Sequence, residues 1–175
     1  GRYRPGASRV VHGLWHDEAM SPRPDSRPTL LIVWHSQTGG TRQMVQALCD
    51  GVTREAAESV RARALPAAQA GPDDVLACDA VIFAGPENLA AISGCLKDFF
   101  DRSFYPLLDR VAGLPYAQMV CAGSDGHNAL RQVERIATGL RLRKVAEPVL
   151  VCTNAQHAEA ILARKQLEEA QLHQC

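Results

Sequence analysis

The segment that most restricts the fold of this chain is the apolar run Leu30-Leu31-Ile32-Val33-Trp34, followed at once by His35-Ser36-Gln37-Thr38-Gly39-Gly40-Thr41 and an amphipathic stretch from Arg42. An apolar run ended by a polar, glycine-bearing turn suits a strand buried on both faces, and the period after it suits a helix. Strand, loop and helix in that order open a βαβ unit, which commits the chain to a parallel sheet covered by helices. The loop also has a chemistry. A helix N-terminus presents amide donors that lack intrahelical acceptors and carries about half a positive charge. Hydroxyls and glycines placed there form a phosphate cradle.

Rival phosphate motifs narrow the ligand. The loop has no Gly-Lys-Ser/Thr, so no lysine would reach a triphosphate, and Gly39-Gly40 is not the GxGxxG of a dinucleotide site. A single phosphate is the better match. A low-molecular-weight phosphatase loop would need a Cys, five intervening residues and an Arg; Cys95 and Arg102 have six between them and fall on a predicted helix.

The rest of the chain repeats the alternation. Residues 1–28 contain Pro5, Pro22, Pro24 and Pro28 without a sustained period and read as an irregular extension ahead of one domain over 29–175. A start at Met20 would make residues 1–19 an optional leader; alternatively Val10, Val11, Leu14 and Trp15 pack on the body. The first helix carries Met44, Val45, Leu48 and Val52 on one stripe, and Val60, Ala62 and Ala64 then alternate with Arg61 and Arg63 as in an edge strand. A short helix near Asp73–Cys78 precedes Ala80-Val81-Ile82-Phe83-Ala84, apolar on both faces as a central strand is. A helix with Leu96, Phe99 and Phe100 inward follows, then a loop from Pro106 to Pro115 and a strand over Ala117–Ala122. Leu130, Val133, Ile136, Ala137 and Leu140 mark the next helix, and Val149–Cys152 the last strand, with Pro148 at its entrance as an edge allows. Ala158–Leu172 is expected as one closing amphipathic helix with Ile161, Leu162 and Leu167.

Composition excludes several functions. With 46% hydrophobic and 22% charged residues the chain has the balance of a globular domain. Its formal net charge of +0 removes the electrostatic case for a nucleic-acid or membrane-surface partner. No apolar run approaches the ~20 residues of a membrane helix, so a cytoplasmic location is expected. The six cysteines form no CxxC pair and read as buried thiols, and the histidines form no cluster that would hold a metal.

Ligands of such sheets bind beyond the carboxyl ends of the strands. Three loops qualify: Ser36–Thr41; Gly85-Pro86-Glu87-Asn88-Leu89-Ala90-Ala91-Ile92-Ser93-Gly94; and Gly123-Ser124-Asp125-Gly126-His127-Asn128. On these three loops, with Gly94-Cys95-Leu96-Lys97-Asp98-Phe99-Phe100-Asp101-Arg102, the chain resembles the flavodoxin family and, within it, the NAD(P)H-dependent FMN reductase and quinone reductase branch. Ser36-Gln37-Thr38-Gly39-Gly40-Thr41 matches that family's Ser/Thr-x-Thr-Gly-x-Thr loop, and the similarity runs through most of residues 29–155.

The resemblance implies a flavodoxin-like three-layer α/β/α sandwich around a five-stranded parallel sheet of order 2-1-3-4-5. It implies that Ser36, Gln37, Thr38, Gly39, Gly40 and Thr41 hold the FMN phosphate, and that Pro86, Glu87, Asn88 and Leu89 with Gly123, Ser124, Asp125 and Gly126 border the ring and ribityl chain. NAD(P)H is then the reductant, a quinone, flavin or similar small molecule the acceptor, and a homodimer a possible assembly. Amides of Asn88 and Gly126 would stabilise charge on the reduced flavin, and the cofactor carries the chemistry, so no catalytic side chain is assigned. Where the branch often has aromatic residues after Pro-Glu-Asn, this chain has Leu89, Ala90 and Ala91, which leaves a ring face open to substrate.

Plainer readings stand beside these. Thr41 could be no more than a helix cap, Glu87 and Asp125 loop-bonding carboxylates, and His127 a solvated residue. Cys95 and Cys121 read as buried thiols; Lys97, Asp98, Asp101 and Arg102 as a charged helix face; Arg164-Lys165 and Glu168-Glu169 as helix salt bridges. Two other functions remain open: an FMN electron carrier, which the balanced charge disfavours because carriers are commonly acidic, and a flavin-free scaffold.

Overall fold

The computed structural model describes residues 26–175. The leader reading of residues 1–19 and the packing of Val10, Val11, Leu14 and Trp15 lie outside the described residues. In chain order the elements are β1 (Thr29–Trp34), α1 (Gly40–Ala56), β2 (Arg61–Pro66), α2 (Pro72–Leu76), β3 (Ala80–Asn88), β4 (Ala91–Ile92) and α3 (Gly94–Leu107). They continue as β5 (Pro115–Ala122), α4 (His127–Gly139), β6 (Arg143–Lys144), β7 (Val149–Cys152), α5 (Ala158–Leu162) and α6 (Glu169–Leu172).

The sheet runs β2-β1-β3-β5, and β6 and β7 share its last position. β6 pairs with Pro115 and Tyr116 at the start of β5, and β7 with Met119–Ala122 at its end, so the expected fifth strand is divided in two. All these pairings are parallel; among the described residues the one antiparallel ladder joins β3 to β4. The order 2-1-3-4-5 therefore holds by position, with a divided edge strand and one small hairpin added.

The apolar runs follow from burial on both faces. Leu31 and Val33 enter a core with Val81, Phe83, Phe99, Phe100, Val120 and Val133 under α3 and α4. Ile32, between them in sequence, points to the other face and packs with Met44, Val45, Met119, Cys121 and Val151 under α1. Period-two alternation cannot be seen in β1 because both of its faces are covered. Four aromatic residues cluster in the first core, Phe83, Phe99, Phe100 and Tyr116: Phe83 lies 4.8 Å from Phe100 and 6.4 Å from Tyr116, centroid to centroid.

Several expectations need correction. β2 is the edge strand foreseen, but Ala64 is exposed and Leu65 half-buried, so its alternation fails beyond Ala62. Helix α3 runs through Pro106 to Leu107, where a loop was expected, and β3 continues four residues past Ala84. The single closing helix is replaced by two short helices separated by the non-helical segment 163–168. Cys78 and Cys121 are buried as expected, while Cys95 is exposed and Cys49, Cys152 and Cys175 are half-buried. Lys97–Asp101 and Asp98–Arg102 do form i,i+4 pairs at 2.6 and 2.8 Å on α3. No described helix is long and apolar enough to cross a membrane.

Candidate functional site

β1 delivers the chain to the crest of the sheet, where the His35 N–H donates to Ala84 O at 3.0 Å. The loop then turns: the Gly39 N–H donates to Ser36 Oγ at 3.2 Å, and Gly39 adopts φ +95°, a left-handed conformation that favours glycine. Gly39, not Thr41, is the N-cap of α1, and it supplies no side-chain acceptor to the first turn. That turn also contains no acidic residue. Its N–H groups are thus left for an external anion.

Two observations test the loop for a phosphate. Thr41 is 1% exposed, and its Oγ1 has no hydrogen-bond partner. A buried hydroxyl without a partner is costly, by about 1–3 kcal/mol, so it points to a ligand atom. Gly40 packs so closely on β5 that a Cβ there would sit 2.4 Å from Cys121 Sγ. The missing side chain brings the backbone down onto the floor of a cavity of about 70 Å³, lined by Ser36, Thr38, Thr41, Cys121 and Gly123. That volume is several times the ~10–15 Å³ one water needs, enough to admit a phosphate group. Burial pushes the Cys121 thiol up to about 11, so this floor is neutral near pH 7. The residues fit the phosphate end of FMN.

The second loop is a β-hairpin. Asn88 pairs with Ala91 across the two-residue turn Leu89-Ala90, and both turn residues have positive φ, 50° and 60°. These are the angles of the turn for which Asn-Gly is the usual sequence. Leu89 is fully exposed at the tip, whereas Pro86, Glu87 and Asn88 line the cavity. The Asn88 side-chain amide donates to Gln37 Oε1 at 2.8 Å, which joins hairpin to phosphate loop. From α4, Asn128 Nδ2 donates to Ala90 O at 2.5 Å and Gln132 Oε1 accepts from Ile92 N at 2.9 Å.

The third loop is tied to the second through Glu87, whose Oε1 accepts the Gly126 N–H at 3.0 Å. This bond takes up the amide that the sequence reading had offered to the reduced flavin, and Gly126, at φ +84°, is the N-cap of α4. The other carboxylate oxygen of Glu87 is buried without a partner. Ser124 and Asp125 are exposed. Asp125 Oδ1 lies 2.7 Å from Nδ1 of His127, and that hydrogen bond holds the Asp125 carboxyl below its usual range. His35 is shifted down by burial. Among the described residues no group of His, Cys, Asp and Glu is placed to hold a metal.

A fourth wall escapes the sequence reading. After β7 the chain crosses back to the phosphate loop, and Lys165 N donates to Thr38 O at 2.8 Å. Gln43, on the first turn of α1, latches this strap: its Nε2 donates to Gly39 O at 3.0 Å and Lys165 O at 2.8 Å, and its Oε1 accepts from Leu167 N at 3.1 Å. Lys165 Nζ donates to the carbonyls of Ala160, Ile161 and Ala163, which closes the end of α5. Among the described residues no ion pair to Glu168 or Glu169 forms. Ile161, Leu162 and Lys165 consequently line the cavity above the loop. The five-residue steps Leu162–Leu167–Leu172 do not fit a helix stripe and are the trace this break leaves in the sequence.

Comparison with known proteins agrees with this fold. Residues 29–157 match the family model described as NADPH-dependent FMN reductase. No curated protein matches the sequence. Among solved structures, a WrbA-like flavodoxin from Agrobacterium tumefaciens is 20% identical, with a TM-score of 0.59 over 78% of this chain and 90% of that one. A flavodoxin from the domain Archaea is 13% identical, with a TM-score of 0.64 over 84% and 90% of the two chains. An apo-form NADH:FMN oxidoreductase is 17% identical, with a TM-score of 0.59 over 84% and 83%. At these identities the likeness is one of fold.

Proposed function

This chain belongs to the NADPH-dependent FMN reductase family, and we propose that it carries hydride from NAD(P)H to FMN and electrons onward to a quinone, flavin or similar small acceptor. The observation that carries the proposal is the donor set at the start of α1, where the Thr41 hydroxyl is buried without a partner beside amides that have no internal acceptor. Bound FMN supplies the redox chemistry. The protein's part is placement.

In this reading Ser36, Thr38 and Thr41, with the amides of Gly40 and Thr41, hold the phosphate, Gly39 shapes the turn through its bond to Ser36 Oγ, and Gln37 keeps the loop fastened to Asn88. Pro86, Glu87, Asn88 and Leu89 form one wall for ribityl chain and ring, and Gly123, Ser124, Asp125 and Gly126 the other. The unpaired oxygen of Glu87 supplies an acceptor between these walls. No aromatic residue stands at 89–91 or 123–128, so no ring covers the approach and a small acceptor can reach it.

The direct test adds FMN to the purified chain, desalts it, records the visible spectrum, and mixes the product anaerobically with NADPH or NADH. Retained FMN that the nucleotide bleaches within the mixing experiment fits a reductase. A carrier would be reduced quickly only by a reductase protein, and failure to bind FMN removes both redox readings. Thr41→Val gives a sharper readout. Loss of a hydrogen bond to a charged phosphate is worth ~1.5–3 kcal/mol, so FMN affinity should fall about tenfold or more while riboflavin affinity stays unchanged. Without ligand the variant should be at least as stable as the parent, since it loses an unpaired buried hydroxyl. An unchanged FMN affinity would put the phosphate elsewhere.

A further inference from the structure

On the reading of the inner cavity as the seat of the flavin phosphate, we propose that Lys165 of the strap is the fixed counter-charge of that phosphate, and that the strap thereby selects the phosphorylated flavin over riboflavin. The cavity needs a cation. A phosphate monoester carries a charge of about −1.5 to −2 near pH 7, and a charge taken out of water without a partner is costly. The loop Ser36–Thr41 contains no basic residue, and the start of α1 offers only partial positive charge. Arg42 and Arg164 line a groove on the outer side of the loop and are absent from the cavity lining. Among the described residues Lys165 is the one Lys or Arg on that lining, and Glu87 the one carboxylate. Glu87 is committed to the third loop through Gly126 N.

The backbone holds Lys165 over the first turn of α1. Its N–H donates to Thr38 O at 2.8 Å, and its carbonyl accepts from Gln43 Nε2 at 2.8 Å. Its Cβ stands 3.7 Å from the point that an added Cβ of Gly40 would occupy, and Cys121 Sγ stands 2.4 Å from the same point. Strap and cavity floor therefore meet at Gly40. The charge is felt on that floor: burial raises the Cys121 thiol to about 11, and the Lys165 ammonium is what pulls the other way.

The ammonium is located without being neutralised. Its donors go to the carbonyls of Ala160, Ile161 and Ala163, at 2.6, 2.8 and 2.7 Å. Among the described residues no carboxylate pairs with it. The other two lysines of the chain do find carboxylates: Lys97 meets Asp101 at 2.6 Å and Lys144 meets Glu134 at 3.4 Å. Carbonyl oxygens fix the position of a compact point charge and leave its net charge for the cavity. With its donors so used, Lys165 acts on the phosphate through charge, whereas the Thr41 hydroxyl and the amides of Gly40 and Thr41 act through hydrogen bonds. Closing the strap and completing the anion site become one event.

Fluorescence titrations of the full chain with FMN and with riboflavin, at low and at high KCl, test the proposal. Lys165→Gln keeps donors for the α5 carbonyls and removes the charge. It should weaken FMN binding about tenfold at low salt and leave riboflavin binding unchanged. It should also lose most of the salt dependence that FMN binding shows in the parent, because that dependence comes from screening of an ion pair. Lys165→Arg should retain most of both. The proposal is overturned by an FMN affinity indifferent to salt in the parent, by an unchanged FMN affinity in Lys165→Gln, or by a loss that Lys165→Arg shares in full. It is equally overturned if Lys165→Gln weakens riboflavin as much as FMN, or weakens FMN with the parent's salt dependence intact, since packing of the strap then accounts for the loss. If the parent binds neither flavin, the assignment of the flavin phosphate fails separately, and calorimetry with inorganic phosphate decides Lys165. Phosphate binding that Lys165→Gln removes keeps the counter-charge; absent or insensitive phosphate binding eliminates it.

Discussion

Gly40 shows how one residue couples packing to the candidate site. Its neighbour Gly39 is a glycine for conformational reasons, at φ +95°, but Gly40 is one because there is no room: a Cβ would meet Cys121 Sγ at 2.4 Å. Forcing a methyl group into such a contact costs ~1–3 kcal/mol, and the cheapest relief lifts the start of α1 away from β5, carrying Thr41 with it. Gly40→Ala should therefore lower stability to urea by about that amount and weaken FMN binding. The clash is with sulfur, since Cys121 Cβ stands 3.6 Å from the same point. Gly40→Ala placed on Cys121→Ala should then recover most of the loss, and a double-mutant cycle reads the coupling. Additive effects would show that the helix start is free of β5. At this scale the sequence was informative about identity and silent about cause: Gly39-Gly40 marked the loop, while the contact with a residue eighty-one positions away could not be read from it.

The hairpin β3–β4 is the element whose sequence agrees least with its shape. Its turn residues Leu89 and Ala90 sit at φ 50° and 60°, where a non-glycine residue costs roughly 1–2 kcal/mol. The preference of this turn for Asn-Gly is why Leu-Ala reads as loop and no hairpin was expected. What holds the turn is outside it: Asn128 and Gln132 of α4 bond the hairpin backbone, and Asn88 reaches Gln37. Leu89→Asn with Ala90→Gly should raise stability by about 1–2 kcal/mol, because it relieves the left-handed strain without touching those bonds. A lower urea midpoint in that variant would mean the exposed Leu89 or the Ala90 methyl makes contacts the hairpin needs. Helices and central strands were legible for the opposite reason. In α4, Val133, Ala137 and Leu140 fall on one stripe and all are buried, so local pattern and tertiary burial agree. The C-terminal helix failed where they disagree: Gln43, 122 residues from Lys165, takes the backbone groups that a continuous helix would have used.

Across the whole molecule, the C-terminal segment finishes two structures at once. Leu167 and Cys175 pack on the α1 face of the sheet with Ile32, Met44 and Val45, while the strap before them closes over the phosphate loop. The parallel order and the three glycine-bearing loops at the carboxyl ends of the strands were readable because strands buried on both faces and glycine-rich turns leave local signals; the strap was not, because its partners are the Thr38 carbonyl and the Gln43 side chain, far away in sequence. Its hold is correspondingly narrow. Ile161 and Leu162 remain 49% and 69% exposed, so little apolar burial retains it, and the Gln43 amide carries two of its bonds. At about 1 kcal/mol for each, Gln43→Ala should make opening of residues 163–167 roughly 30-fold more frequent without unfolding the sheet. Arg164 is exposed and Lys165 half-buried, so trypsin reports that opening directly. When closing is faster than cleavage, the cutting rate follows the open population. The variant should be cut at Arg164-Lys165 about tenfold faster or more, with a small change in its thermal midpoint, and saturating flavin should slow the cut in the parent chain. Equal cutting rates in parent and variant would show that the strap is held by something other than Gln43.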